Sequence, residues 1–378
     1  MSDSRLPLRM PRLIVLSILL LISLLAVIRA PQYHLWLLAI VVTELPWIWV
    51  LVTSAGLLAG FKTNRFVLAG TIVGIIALAL FISPIARILP VAGKLNNGLN
   101  AAFGGSDKGD VPFRIGRMFS AFSVSKDVPL VRTYFDDLSL DFYPAHTQGA
   151  RPCVIVVHGG SWAGGDSRQL DDLNTVMARG GYHVLSINYR LAPQYKSPEQ
   201  VNDLAAAIAY VKQHATDLHI DTSHIVILGR SAGAQIALAG AYTLHDSCIK
   251  GVISFYGPAD MVWGYSLPAN PLVFDSRKVM TDYLGGTYEE VPQQYFNSSP
   301  IEFVTPQSPP TLLIHGPLDP LVAYEHSVRL SAKLQQMHVP YYFLDLPCGT
   351  HGCDATLSGP SGQVTTYAVL RFLDNVCR

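Results

Sequence analysis

Gly229-Arg230-Ser231-Ala232-Gly233 follows the apolar run His224-Ile225-Val226-Ile227-Leu228 and opens the helix-forming run Ser231 to Leu244. A strand, a G-x-S-x-G turn and a helix in that order force the central serine into a strained conformation with its hydroxyl exposed. Glycines on both flanks let strand and helix approach without Cβ clashes. The helix N-terminus that follows favours negative charge developing beside the serine. Ser231 is therefore the expected nucleophile.

Outward from this turn, short β-branched runs recur at Val131 to Tyr134, Leu138 to Tyr143, Pro152 to Val157, His183 to Asn188, Gly251 to Tyr256, Pro310 to His315 and Tyr341 to Leu346. Helical stretches separate most of them, at Arg168 to Arg179, Ser197 to His214 and Ala323 to Met337. Near-continuous apolar runs such as Cys153-Val154-Ile155-Val156-Val157 suit strands covered on both faces. The alternation predicts an α/β fold with a mostly parallel central sheet and helices on both faces. The first two runs are close enough to pair antiparallel at its edge.

A serine nucleophile attacking a carbonyl needs N–H donors, a base and an orienting acid. His158-Gly159-Gly160-Ser161-Trp162, just past the strand ending at Val157, offers bare backbone to an oxyanion. Gly159 and Gly160 are the expected donors from this loop, with Ala232 N–H as the third; Gly160 and Ala232 are the preferred pair. Ser161 and Trp162 come next and are expected to touch substrate. In hydrolases with this turn the chain order runs serine, acid, histidine. Asp319, in His315-Gly316-Pro317-Leu318-Asp319-Pro320, and His351, in Cys348-Gly349-Thr350-His351-Gly352, complete that order. Asp260 and Asp345 are rival acids, but Asp319 follows the penultimate strand at loop distance. His158 precedes the nucleophile and reads as a structural residue of its loop, as does His315. No His or Cys cluster has zinc spacing, so neither a metal nor another cofactor is expected.

With these residues in place, residues 128 to 378 resemble the esterase/lipase branch of the α/β-hydrolase superfamily. The resemblance is to hormone-sensitive-lipase-like, feruloyl/acetyl esterase-like and isoprenylcysteine methylesterase-like carboxylesterases. It rests on the His158, Ser231, His315–Asp319 and His351-Gly352 motifs, with Asn188-Tyr189-Arg190-Leu191-Ala192-Pro193, Tyr256-Gly257-Pro258-Ala259-Asp260 and Ser299-Pro300 between them. It implies an α/β-hydrolase fold and ester hydrolysis. Two residues depart from the pattern. Ser161 stands where the lipase-like members often have a third glycine. Arg230 stands where an acidic or neutral residue is common; it is expected to pair within the body, with Asp203 as the candidate partner, or else to help bind an anionic substrate. The segment Met261 to Pro300, with Trp263, Tyr265, Phe274 and Tyr283, reads either as a lid or pocket wall or as a surface excursion with one helix near Ser276 to Leu284.

The first 90 residues read differently. They hold seven basic and two acidic residues, and the remainder holds 20 and 25. Three apolar runs, Leu13 to Ala30, Leu35 to Phe61 and Phe66 to Ile85, have the length and character of membrane spans. The second is too long for a straight span and must tilt or break; Pro46 predicts a kink. Glu44 inside it should face other helices, as a packed bundle residue, or a polar substrate. Gly56 to Gly60 and Gly70 to Gly74 are small-xxx-small patterns suited to close packing within the chain. Ile28-Arg29-Ala30 matches a signal-peptidase site poorly, so the first helix is expected to stay. Arg5, Arg9, Arg12, Lys62 and Arg65 would lie on one side of the membrane and Arg29, Arg87 and Lys94 on the other. That bias places the large domain on the non-cytoplasmic side.

The expected organisation is a membrane region at 1–90 with about three transmembrane helices, a connector at 91–127 and an α/β-hydrolase catalytic domain at 128–378. Gly93, Gly98, Gly104 and Gly105 should loosen the first half of the connector. In its second half, Phe113, Ile115, Met118, Phe119 and Phe122 mixed with Arg114 and Arg117 suit either an interfacial segment or a helix packed on the domain. Net charge is zero, so nothing points to nucleic acid. Five cysteines are too few for a disulfide scaffold, but in an oxidising compartment a Cys348–Cys353 bridge would strap the histidine loop.

Together these features predict an integral membrane serine hydrolase that cleaves a small-molecule or lipid-like carboxylic ester through an acyl-enzyme. Two alternatives remain: an acyltransferase or deacylase acting on a lipid-linked molecule, and a catalytically silent interaction module. An intact serine, acid, histidine and donor loop argue against the module.

Overall fold

The computed structural model describes residues 9–59, 65–105, 111–120 and 126–377. Eight strands form one sheet: β1 (Leu130–Phe135), β2 (Leu138–Tyr143), β3 (Arg151–Val157), β4 (His183–Ile187), β5 (Ile220–Arg230), β6 (Ile249–Phe255), β7 (Thr311–His315) and β8 (Tyr341–Asp345). Their order is β1-β2-β4-β3-β5-β6-β7-β8. β2 runs antiparallel to β1 and β4, and the pairs from β4 through β8 are parallel. This is the α/β-hydrolase-like sheet that the resemblance implies.

The helices are α1 (Arg9–Ser23), α2 (Tyr33–Glu44), α3 (Pro46–Leu58), α4 (Arg65–Phe103), α5 (Asp172–Arg179), α6 (Glu199–Gln213), α7 (Ala215–Leu218), α8 (Ala232–Thr243), α9 (Met261–Ser266), α10 (Ser276–Leu284), α11 (Pro292–Asn297), α12 (Glu325–Gln336) and α13 (Pro360–Val376). Strand alternation explains the layers. Cys153, Ile155 and Val157 of β3 join one apolar layer with residues of α6 and α8. Val154 and Val156 join the opposite layer, with Leu173 and Met177 of α5 and Phe372 and Leu373 of α13.

Leu95 and Leu99 of α4 belong to that second layer and are fully buried. Each is worth about 1.5–3 kcal/mol of burial. The first half of the connector is therefore not loose: α4 runs unbroken through Pro84, Pro90, Gly93 and Gly98. Tertiary packing overrides the local propensities. Gly98 itself lies against the Tyr342 ring of β8 with no room for a Cβ, so its glycine permits close approach. The second half is held on the domain. Phe113 and Met118 peg the 3-10 turn Ile115–Ser120 into the core, while Ile115 and Phe119 stay exposed. Phe122 lies outside the described residues.

In the N-terminal region α1, α3 and the first half of α4 pack together. Leu16 of α1 lies against Gly56 of α3 and Gly70 and Gly74 of α4. The Arg12 guanidinium donates to the carbonyls of Gly56, Leu57 and Val67 and to Thr71 Oγ1, at 3.1–3.2 Å. Gly60, Arg5 and Lys62 lie outside the described residues. The second apolar run does break at Pro46, and α2 and α3 meet at 87°. Val67–Phe103 is long and apolar enough to cross a membrane; the bent α2–α3 pair passes only as a unit, and Pro11–Ala26 is shorter.

Glu44 faces another helix, but one of the α/β domain rather than of the N-terminal bundle. It is buried, and its Oε2 accepts from Ser361 N (3.1 Å) and Gly362 N (3.3 Å). A carboxyl from the N-terminal region thus caps α13 of the α/β domain. The Cys348–Cys353 bridge is also absent: all five thiols are free, and Cys353 packs within the apolar layer beside α13.

Candidate active site

β5 delivers Ser231 at its C-terminal end, and α8 begins at the next residue. Ser231 has φ 53° and ψ −121°, a strained pair for a residue with a Cβ. The turn is held because Ser231 N donates to Phe255 O on β6 (2.9 Å). The close approach depends on its glycines. A Cβ on Gly229 would lie 2.2 Å from Gly233 O, and one on Gly233 would lie 2.2 Å from His158 O.

Three loops at strand C-terminal ends bring Ser231, Asp319 and His351 together. Ser231 Oγ is 2.9 Å from His351 Nε2, and His351 Nδ1 is 2.7 Å from Asp319 Oδ2. A carboxylate only accepts, so Nδ1 carries the hydrogen and Nε2 is left to accept from the serine hydroxyl. Asp319 Oδ1 takes Leu321 N (2.8 Å) and Val322 N (2.9 Å). Burial alone would raise the Asp319 pKa. The His351 imidazole and the hydrogen bonds from His315 and His351 outweigh it, and hold the carboxyl well below its ordinary range. His315 thus does more than shape its turn: its Nε2 lies 3.1 Å from Asp319 Oδ2, and its Nδ1 lies 2.8 Å from Ser327 Oγ. The rival acids sit elsewhere. Asp260 caps α9 and pairs with Arg329 (2.7 Å), and Asp345 interacts with Tyr324.

The glycine loop corrects one expected donor. Gly159 N already donates to Gln169 Oε1 at 2.6 Å. Among the described residues, the N–H groups of Gly160, Ser161 and Ala232 have no acceptor within the chain. Gly160, at φ 118°, is packed against Gly164 O so tightly that only glycine fits. His158 serves the loop as expected: it stacks on Tyr189 (4.2 Å), its Nδ1 meets Gly159 O (2.6 Å), and burial lowers its pKa. Trp162 Nε1 donates to Gln235 Oε1 (3.0 Å), and its ring stacks on Tyr283 at 4.3 Å.

Arg230 forms a salt bridge, but not with Asp203, which Arg190 takes. Its partner is Asp354, at 2.6 Å and equally buried. Asp354 also accepts from Tyr256 OH (2.6 Å), and the Tyr256 ring lies 4.4 Å from the His351 ring. The residue before the nucleophile is thereby tied to the loop of the histidine. Arg230 is too deeply buried to meet an anionic substrate.

A cavity of about 360 Å³ opens beside Ser231, Ala232, Ser161 and Trp162. Met261, Phe274, Val279 and Met280 line it, so the 261–300 segment is a pocket wall. The segment carries three helices rather than one. Trp263 and Tyr265 face a separate groove. Arg29, Ala30 and Pro31, from the link between α1 and α2, close the far side. That link is bonded to the wall: Tyr33 N donates to Leu272 O and Asn270 Nδ2 to Pro31 O, both at 3.1 Å.

The profile of the BD-FAE family matches residues 140–334, a little over half of the chain. Two Mycobacterium tuberculosis proteins are similar in sequence. Esterase LipC is 28% identical over 243 residues, 60% of this chain and 59% of LipC. The probable carboxylic ester hydrolase LipM is 26% identical over 291 residues, 73% of this chain and 66% of LipM. The chain thus spans about three-fifths to two-thirds of the length of these relatives. A solved esterase of Pyrobaculum calidifontis superposes with a TM-score of 0.58 at 19% identity, covering 76% of this chain and 92% of that one. At that identity the likeness is one of fold.

Proposed function

The chain belongs to the BD-FAE family, within the esterase/lipase-type α/β-hydrolases, and from that premise we propose that it is a membrane-anchored serine hydrolase of carboxylic esters. The observation that carries the reading is the continuous relay from Ser231 Oγ through His351 to Asp319, at 2.9 and 2.7 Å. Ser231 Oγ attacks the ester carbonyl while His351 Nε2 takes its proton. Asp319 fixes the tautomer and stabilises the imidazolium. The N–H groups of Gly160 and Ala232 receive the oxyanion, with Ser161 N–H next to them in place of Gly159. Collapse breaks the acyl–oxygen bond, and His351 returns the proton to the departing alcohol. Water, deprotonated by His351, then attacks the acyl-enzyme and releases the acid and Ser231.

The cavity sets the scale of the acyl group. Its volume of about 360 Å³ lies at the small end of the range usual for small-molecule sites. The purified full chain in detergent, given p-nitrophenyl esters from acetate to palmitate, is expected to favour short and medium acyl groups and to fall off sharply towards palmitate. A rate that rises steadily to palmitate would contradict a pocket of this size.

The anchor in this reading is the packed set of α1, α3 and α4 up to about Ile85, in which α4 has full span length and α1 and α3 are shorter, joined to a hydrolase domain at 128–378 by the rest of α4 and the turn at Ile115–Ser120. Ile18, Leu21, Leu51, Leu68 and Ile75 are each more than half exposed on these helices. Exposed large apolar side chains on helices of this composition suit lipid. α2 lies on the domain, and its exposed Tyr33, Leu37 and Val41 suit the bilayer surface. The ester reaches the pocket beside this surface, which favours amphiphilic substrates. Arg12 marks the membrane face remote from the hydrolase domain, whereas Arg29 donates to Pro317 O (2.7 Å) and Arg87 to Pro347 O (3.2 Å) on the domain itself. A positive bias at the remote face is what supports reading the hydrolase as lying outside the cytoplasm. Reporters fused after residue 65 and after residue 378 are expected on opposite sides; finding both on one side would overturn the three-span arrangement.

A further inference from the structure

Trp36, Ile40 and Glu44 recur every four residues along α2 and so share one face of the helix. All three meet a single stretch of the hydrolase domain, His351 to Gly362. Trp36 Nε1 donates to the His351 carbonyl at 2.9 Å, and the indole lies edge-on to the imidazole at 6.1 Å. Ile40 lies under Gly352, where a Cβ would meet its Cδ1 at 3.4 Å. Glu44 accepts from Ser361 N and Gly362 N, where the stretch enters α13. The histidine loop is therefore seated at its start, in its body and at its end on one helix of the N-terminal region. Neither α2 nor this stretch falls within the family-profile match, residues 140–334.

We infer that α2 is a positioning element for the hydrolase, with Trp36 as the positioning residue that sets the height of His351 against Ser231. The inference rests on the serine-hydrolase reading. Its physical basis is geometric. His351 must present Nε2 to the serine and Nδ1 to Asp319 at once, and its main chain fixes where the ring can reach. A hydrogen bond to its own carbonyl is the most direct external hold on that main chain. Other holds act on the ring or on neighbouring residues: Asp319 and Tyr256 touch the imidazole, Leu318 N donates to Gly349 O, the loop turns back on Thr350 O and Gly352 O, and Arg230 holds Asp354. A displacement of about 1 Å at a reacting group can cost about a hundredfold in rate.

The test uses the full chain in detergent, with a p-nitrophenyl ester and a fluorophosphonate probe. Trp36→Phe keeps a ring but loses the donor. Its kcat is expected to fall about ten- to a hundredfold, with KM within about twofold and slower probe labelling in proportion. Trp47→Phe is the control. Trp47 meets the Phe119 ring at 5.5 Å, and among the described residues its Nε1 has no hydrogen-bond partner to lose. It should leave kcat unchanged. Glu44→Leu and Glu44→Gln give a second arm, since glutamine keeps an acceptor for α13. Glu44→Gln should recover most of the rate that Glu44→Leu loses. Unchanged kcat and labelling in Trp36→Phe, a rise in KM alone, or an equal loss in Trp47→Phe would overturn the positioning role and leave the hydrolase reading standing. A folded wild type that neither cleaves nor labels would overturn both.

Discussion

Replacing Ser231 by alanine is expected to remove nearly all ester hydrolysis while the protein stays folded. The side chain makes its functional contact outward, to His351 Nε2, and its backbone turn is held by Ser231 N on Phe255 O and by the surrounding glycines. Alanine needs the same positive φ, at φ 53°, so the strain is unchanged and little stability is lost. The loss in kcat is expected to reach about a millionfold, as for nucleophile removal in serine hydrolases generally. Residual turnover would come from the oxyanion donors and substrate binding alone. The check is steady-state hydrolysis of a p-nitrophenyl ester by variant and wild type, with far-ultraviolet circular dichroism confirming the fold. Activity within tenfold of wild type would remove Ser231 from the reaction.

Asp319→Asn is expected to cost about ten-thousandfold in kcat with KM little changed. The amide preserves shape but carries an N–H where a carboxylate only accepts. Asp319 Oδ2 faces His351 Nδ1 at 2.7 Å and His315 Nε2 at 3.1 Å, while Oδ1 faces two backbone N–H groups. Asparagine can satisfy the backbone with its oxygen only by turning its amide nitrogen towards the histidines. His351 then accepts at Nδ1 and places its hydrogen on Nε2, facing the serine in the wrong tautomer. Losing the buried negative charge also removes the partner of the imidazolium. A pH–rate profile separates the causes. The variant should regain rate at high pH, where hydroxide replaces the general base. A kcat within about tenfold of wild type would make Asp319 a structural residue and return Asp260 and Asp345 to consideration.

The sheet and the three relay residues are legible in the sequence because their signals are local. The G-x-S-x-G turn, the loop after Val157 and the loops that hold Asp319 and His351 each lie beside a strand whose apolar run marks it. What the sequence hides is who has already claimed each group. Gly159 offers an N–H in any reading of its loop, but Gln169, ten residues on, takes it. Arg230 has several candidate acids, and Asp203 is the nearer in sequence. The fold gives Asp203 to Arg190 and brings Asp354 to Arg230.

The N-terminal region shows the same limit over longer distances. Hydropathy marks the apolar runs and Pro46 marks the break. Nothing local says that Glu44 caps a helix 317 residues away, or that Trp36 reaches the loop of His351. Prolines and glycines between residues 84 and 98 argue for a loosened chain. α4 persists because Leu95 and Leu99 have a sheet layer to enter and Gly98 has the Tyr342 ring to approach.

The central claim is an activated serine at position 231, and the most direct test is covalent. Incubating the detergent-purified full chain with a fluorophosphonate should form an Oγ–phosphorus bond and expel fluoride, the serine proton passing to His351. Peptide mass spectrometry is then predicted to place the added mass on the Ser231 peptide, stoichiometrically in wild type and not at all in Ser231→Ala. Folded wild-type protein that takes up no probe, or takes it up at a residue other than Ser231, would contradict the account.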